Sequence, residues 1–507
     1  MKPALLLTFT VSTVTLITII STSTPARAAD PWYEIHRSYP QPATNNLRFA
    51  SAASLSGTTA VIGAWADDDL GKEAGAAYVI NAQTGIQLFK LHARDGSAND
   101  HFGQSVAINA NLIVIGAPDD DDLGQSSGSA YVFNAQTGNQ LFKFTSSDGQ
   151  AGDQFGYAVA LEGNLALVGA QLDDDHGAAS GAAYLFDLTT GSEIRKITPA
   201  DGVPGANFGN SIAIHNQIAC IGAWTDEVNS TATGSAYMYD LQNDTLIYKL
   251  TPNDGNNFDF FGRAVALNDQ FAVITADQAD PVGLNSGAAY VFDLTTGLQI
   301  DKLIADNEDA RDQFGTSVSL DGNLALIGAS AGDGPVTDSG SAYLFDITTG
   351  SQLRQFIVPD SKEYDYFGSA VALNADLAVI GAVLNDDLAN NAGSAYVFRT
   401  GGAFLSVSPD PIIPGQDATF TITSALPNQQ SFLTYSLKAP GSTTISFLNI
   451  ALDLTQPKQA GTTKTTDAGG FVEWILPIPQ LQSPRNIWLQ GAQQNQVSNL
   501  VTTRINP

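Results

Sequence analysis

Apolar and polar positions alternate in short runs through most of this chain, and the same order of runs returns every 53 residues. In the stretch 102–154, Gln104 to Ile108 alternates, Leu112 to Ala117 is apolar throughout, and Ser129 to Asn134 and Asn139 to Thr145 alternate again. Alternation of period two puts successive side chains on opposite faces of an extended backbone, so these runs predict four β-strands. Turn residues join them: Asn109-Ala110-Asn111 and Thr137-Gly138 suit tight hairpins, Asp119 to Ser127 is a long Asp/Gly/Ser connection, and Asp148-Gly149 marks the exit. Each repeat predicts an antiparallel four-stranded sheet.

The repeat does not drift. Phenylalanine stands at 49, 102, 155, 208, 261, 314 and 367, and tyrosine at 78, 131, 184, 237, 290, 343 and 396. One such sheet cannot bury both its faces, so the copies must stack, and seven four-stranded units predict an all-β, seven-bladed β-propeller. A parallel solenoid fits poorly, because its coils are shorter and would not need two hairpins per repeat. Small residues such as Ser105-Val106-Ala107 and Tyr157-Ala158-Val159-Ala160 place the first strand at the crowded axis. The fourth strand carries Lys90, Lys143, Lys196, Lys249 and Lys302 at one register, as expected of an outermost edge guarded against pairing. The seventh copy lacks such a strand: 53 beyond Leu353 and Gln355 lie Ser406 and Ser408. The segment Trp32 to Tyr39 fits instead, with Ile35 in register with Leu88 and Arg37 with Lys90, so the N-terminal segment is predicted to close the ring.

Composition adds a compartment and a charge. Lys2, the apolar run from Ala4 to Ile20 and the small-x-small step Ala26-Arg27-Ala28 read as a secretory signal over 1–28, followed by a propeller over 29–402. The expected location is therefore secreted, periplasmic or cell-surface, with no membrane span after cleavage. The single cysteine, Cys220, lies in an apolar run and reads as a core residue. Removing 1–28 leaves 20 basic against 51 acidic residues, 20 − 51 = −31, which argues against a nucleic-acid partner.

Phe102-Gly103 followed by Gly116-Ala117-Pro118 resembles the FG-GAP repeat, known from the seven-bladed propeller head of integrin α subunits and from exported bacterial proteins. The resemblance covers residues 49 to 399. It implies the propeller fold and, as an expectation, recognition of an extracellular protein or glycan. The calcium loop that many members carry between these two elements is not matched: Gln104 to Ile115 lacks its oxygen ligands and its glycine turn.

Strand alternation puts the connection between strands two and three on the same face as the exit loop, and 33 of the 51 acids fall in these two loop sets. The runs Asp67 to Asp69, Asp119 to Asp122 and Asp173 to Asp175 read either as solvated surface or as ligands for weakly bound calcium, with Asp67, Asp69, Asp120, Asp122, Asp173 and Asp175 as the candidates. Trp65 and Trp224 share a register that varies from copy to copy, which makes them candidate ligand contacts, although each indole could simply pack its own loop. No G-x-S-x-G or H-E-x-x-H motif occurs, so no catalytic residue is assigned and no organic cofactor is expected.

From Ala403 the period is lost, and segments such as Phe420-Thr421-Ile422-Thr423 and Ile487-Trp488-Leu489 predict a β-sandwich over 403–507, resembling immunoglobulin-like modules. The expected function is binding or adhesion outside the cytoplasm, with the acidic propeller face as the working face for a protein, a glycan or a cation and calcium as a weak rim ligand. A polysaccharide-acting enzyme with acids near the ring axis and a structural envelope protein stand as alternatives.

Overall fold

The computed structural model describes residues 32–400 except Glu308 and Ala375, together with the backbone of strands between 404 and 505. The proposed signal peptide and the sandwich arrangement of the C-terminal segment lie outside the described residues. Residues 32–401 form one compact unit.

Seven antiparallel four-stranded sheets build this unit, six of them in sequential strand order from inside to outside. Blade 3 is typical, with Phe155–Glu162, Leu165–Ala170, Ala182–Asp187 and Ser192–Ile197. Blade 7 departs from the pattern. Its outermost strand is Trp32–Ser38, paired antiparallel with Ser394–Thr400 so that Arg37 faces Tyr396, the register in which Lys90 faces Tyr78 in blade 1. The two ends of the propeller segment thus share one sheet.

Blades adhere through the residues that mark the repeat. The second strand of every blade is buried along nearly its whole length because neighbouring sheets cover both its faces. Each repeat phenylalanine meets the repeat tyrosine edge-on, at 5.2 Å for Phe49 and Tyr78 and 5.4 Å for Phe155 and Tyr184. The Gly-Ala glycine is required by close approach: a Cβ on Gly116 would run into the carbonyl oxygen of Gly156 in the next blade. Cys220 lies wholly buried within blade 4, where burial pushes its thiol up to about 12.

Candidate functional site: the loop face

The connection between strands two and three and the loop leaving strand four do share a face, and lysine ties them together. In blade 2, Lys143 Nζ lies 2.7 Å from Asp95 Oδ2, 3.2 Å from Asp120 Oδ2 and 2.6 Å from Asp122 Oδ2. In blade 3, Lys196 meets Asp148, Asp173 and Asp175 at 2.8, 2.7 and 2.6 Å. Lys90 holds Asp67 and Asp69 at 2.8 and 2.6 Å. All six aspartates singled out as calcium ligands therefore converge in pairs on an ammonium group supplied by the chain. His92 adds a nitrogen near Asp67 and Asp69, a grouping whose ligand atoms lie within 4.8 Å of one another.

The lysine register differs from its expected role in one respect. These strands are outermost, but the lysine side chains, 14% exposed at Lys90 and 18% at Lys143, fold back over the blade with Nζ 5.2 Å from the ring centres of Tyr78 and Tyr131. The outward position of the strand belongs to Leu88 and Leu141, 45% and 44% exposed. What draws lysine inward is the buried carboxylate at 67, 120, 173 and 226, which also accepts the hydroxyl hydrogen of the repeat tyrosine at 2.8–3.0 Å. A buried ion needs a partner of opposite charge, and Asp120 and Asp173 each have both a cation and a phenol. The middle aspartate of each run plays a different part, since Asp68, Asp121 and Asp174 each accept the backbone N–H five residues on. Three adjacent acids are thus three separate structural solutions, which spacing alone did not show.

The lysine also crosses the blade junction, since its exit-loop partner belongs to the preceding blade. Lys143–Asp95, Lys196–Asp148, Lys249–Asp201 and Lys302–Asp254 join successive blades, and Arg37–Asp360 joins blade 6 to blade 7. Blade 6 has lost the whole set together: Gln355 replaces lysine, Gly332 the buried aspartate and Asn307 the exit aspartate. There the Gln355 amide donates to Tyr343 Oη at 3.3 Å.

Burial pushes a second set of carboxyls up, Asp100 and Asp312 to about 6, and Asp153, Asp259 and Asp365 in the same direction. All five share one register, three residues before the repeat glycine, and each accepts a backbone N–H from its own loop, as Asp100 does from Ser97 at 2.6 Å. They are loop caps.

At the register that varies from copy to copy, blades 1 and 4 carry aromatic side chains with basic neighbours. Trp65 is half-buried against His101, with ring centres 4.9 Å apart, and His101 Nδ1 lies 2.6 Å from Asp119. Trp224, also half-buried, packs on Phe260 at 5.2 Å, with the Arg263 guanidinium 5.1 Å from its ring centre. Arg263 Nε in turn lies 3.4 Å from Asp277, which stands at the tryptophan register and is 6% exposed; burial holds its carboxyl high despite the arginine. Trp65 and Trp224 sit in equivalent places in blades 1 and 4 and do not meet.

This ring of four-stranded blades defines a seven-bladed β-propeller. Its repeats match a family model described as FG-GAP repeat in seven stretches, 40–80, 86–133, 139–186, 192–239, 245–292, 298–345 and 351–398. The chain belongs to the FG-GAP repeat family. No curated protein sequence matches it. Similar solved structures include a europium-containing methanol dehydrogenase (10% identity, 73% of this chain and 93% of that one, TM-score 0.38) and a complex of KlAtg21 with the coiled coil of AgAtg16 (9%, 67% and 95%, TM-score 0.44). A third is the extracellular domain of the hybrid two-component system BT3049 of B. thetaiotaomicron (14%, 94% and 57%, TM-score 0.41). At these scores the likenesses carry no argument about function.

Proposed function

We propose that this protein is exported and acts outside the cytoplasm as a binding or adhesion protein, recognising an extracellular protein or glycan through the loop face of its propeller. One observation carries this reading: on that face the carboxylates mostly repeat in structural roles from blade to blade, whereas at a register that varies from copy to copy blades 1 and 4 carry tryptophans beside His101 and Arg263. Side chains under structural constraint recur at fixed register, and those free of it are available for recognition. Tryptophan, tyrosine and arginine are also the residue types that anchor interfaces. An enzyme with acids near the ring axis would need a single inward pair of carboxylates raised by burial. The raised carboxyls here form a register of five caps, with Asp277 set against an arginine, which supports binding over catalysis. Calcium at the rim, if it binds, competes with a lysine already seated between the carboxylates and is therefore weak.

The test is a printed array of glycans and secreted proteins, probed with the mature chain and with a Trp224→Ala/Arg263→Ala variant of unchanged melting temperature. The reading expects a ligand whose signal falls at least tenfold in the variant. Equal signals from both proteins would overturn it.

A further inference from the structure

Each inter-blade loop contains one position, three residues before the repeat phenylalanine, whose backbone is left-handed in all seven copies: Asn46, Asn99, Gly152, Gly205, Phe258, Arg311 and Tyr364 have φ between 60° and 97°. Four copies use asparagine or glycine, the residues that adopt this conformation at least cost. The other three are consecutive, belong to the loops leading into blades 5, 6 and 7, and carry large side chains. Phe258 is 59% exposed and Tyr364 52% exposed, and Arg311 is exposed as well.

The loop backbone enforces this conformation. Phe258 N–H donates to Ala232 O and Arg311 N–H to Leu284 O, both at 2.8 Å, which fastens these loops to the preceding blade. Two residues on, a register whose backbone is left-handed in every copy, Phe260 and Tyr366 each support the exposed neighbour edge-on, with ring centres 6.4 Å apart in both pairs and interplanar angles of 76° and 73°. The chain therefore accepts backbone strain to present two aromatic rings to water in the same geometry, with an arginine at the equivalent place between them. Strain kept at an exposed position where a cheaper residue is used elsewhere in the same protein marks a functional constraint.

We propose that Phe258 and Tyr364 are stacking platforms for a neutral oligosaccharide, with Arg311 donating to its hydroxyls. This rests on the loop face being the binding face and names its ligand class. The apolar C–H face of a sugar ring matches a phenyl ring held flat in water, and its hydroxyls need donors and acceptors at the ring edge. Arg311 supplies donors, and the exposed Glu363 beside Tyr364 supplies an acceptor. A net charge of −29, concentrated on this face, selects against polyanionic glycans. Because each ring already rests edge-on against an aromatic neighbour, part of the entropy of ordering it is lost before the sugar docks.

The test titrates the mature chain calorimetrically with neutral hexasaccharides (cello-, xylo-, manno-, chito-, laminari- and malto-series) and with heparin and alginate as anionic controls. The expected result is binding of at least one neutral series, at least tenfold weaker in Phe258→Asn and in Tyr364→Asn. Because asparagine is at ease in this backbone but gives up the edge-on ring contact, each variant is expected to melt close to wild type, so that lost binding reports the ring and not the fold. Neutral sugars that fail to bind, or that bind both variants as well as wild type, overturn the proposal. If the array instead yields a protein or anionic ligand sensitive to Trp224 and Arg263, the loop face remains the binding face and only the sugar assignment falls. If nothing binds on that face, both fail.

Discussion

Arg37 and Asp360, 323 positions apart, form a two-pronged ion pair, with Nη1 2.8 Å from Oδ2 and Nη2 2.7 Å from Oδ1. Arg37 Nε also donates to Glu34 Oε1 at 2.8 Å, and the guanidinium lies 4.9 Å from the ring centre of Tyr396, so a single residue of the first strand is bound to blades 6 and 7 at once. Asp360 is 64% exposed, so Asp360→Asn should cost less than about 1 kcal/mol. Removing residues 29–40 deletes the outer strand of blade 7 and its Trp32–Phe356 contact, and should lower the melting temperature by about 5 °C or more, on the order expected for a lost strand and core aromatic. A truncated protein that melts with the full mature chain would show that the ring does not depend on this closure.

In blade 2 the lysine clamp makes a sharper prediction. Lys143→Met leaves Asp120, 3% exposed, without its cation and should destabilise by about 3–5 kcal/mol in chemical denaturation. Copying the blade 6 solution into blade 2, as Lys143→Gln, Asp120→Gly and Asp95→Asn together, removes both the ion and its partner. It should cost clearly less than the single change. If the triple variant is the less stable of the two, the three positions do not act as a set.

Titration should move stability in two directions. Asp100 and Asp312, pushed to about 6 by burial, bind protons in the folded chain that the unfolded chain releases near its ordinary value of 3.8. The stability this adds is absent at neutral pH, grows as pH falls through about 6 and is complete below about 4. Asp69 and Asp360, held low first by hydrogen bonds from Lys90 and Arg37, contribute stability that is present above 3.8 and lost as pH falls further. The melting temperature should therefore rise from about pH 7.5 to about 5 and fall below about 4. Melting curves across this range check it, and a steady decline from neutral pH downward would contradict it.

Calcium should reveal what lysine displaces. Wild-type protein is expected to bind calcium at Asp67 and Asp69 weakly at best, because Lys90 Nζ lies within 2.8 Å of both. Lys90→Met frees these carboxylates beside His92, and calorimetry should then show divalent-ion binding at least tenfold tighter. Unchanged affinity would mean that any bound ion sits elsewhere on the rim.

Register carried most of the fold. The phenylalanine and tyrosine periods placed the strands of blade 2 to within a residue at their ends, and the misfit of Ser406 and Ser408 against Arg37 pointed to the strand that completes blade 7. The site was legible only in part. Adjacent aspartates look like excess charge in a sequence, because nothing in their spacing shows that a lysine 21 or 23 residues downstream returns to them through a hairpin. Phe258 and Tyr364 escape notice for another reason: an aromatic residue in a loop is ordinary until its backbone is known to be left-handed. The signal is nonetheless present, since a register that reads Asn, Asn, Gly, Gly and then Phe, Arg, Tyr changes from residues suited to a strained backbone to residues that are not.

The claim that the loop face is the working surface is tested most directly by hydrogen exchange with and without a ligand found on the array. The account predicts protection of the segments around 255–263 and 362–368, with no change in the hairpins at 215–217 and 242–244 on the opposite face. Protection confined to those hairpins, with the loop segments unaffected, would contradict it.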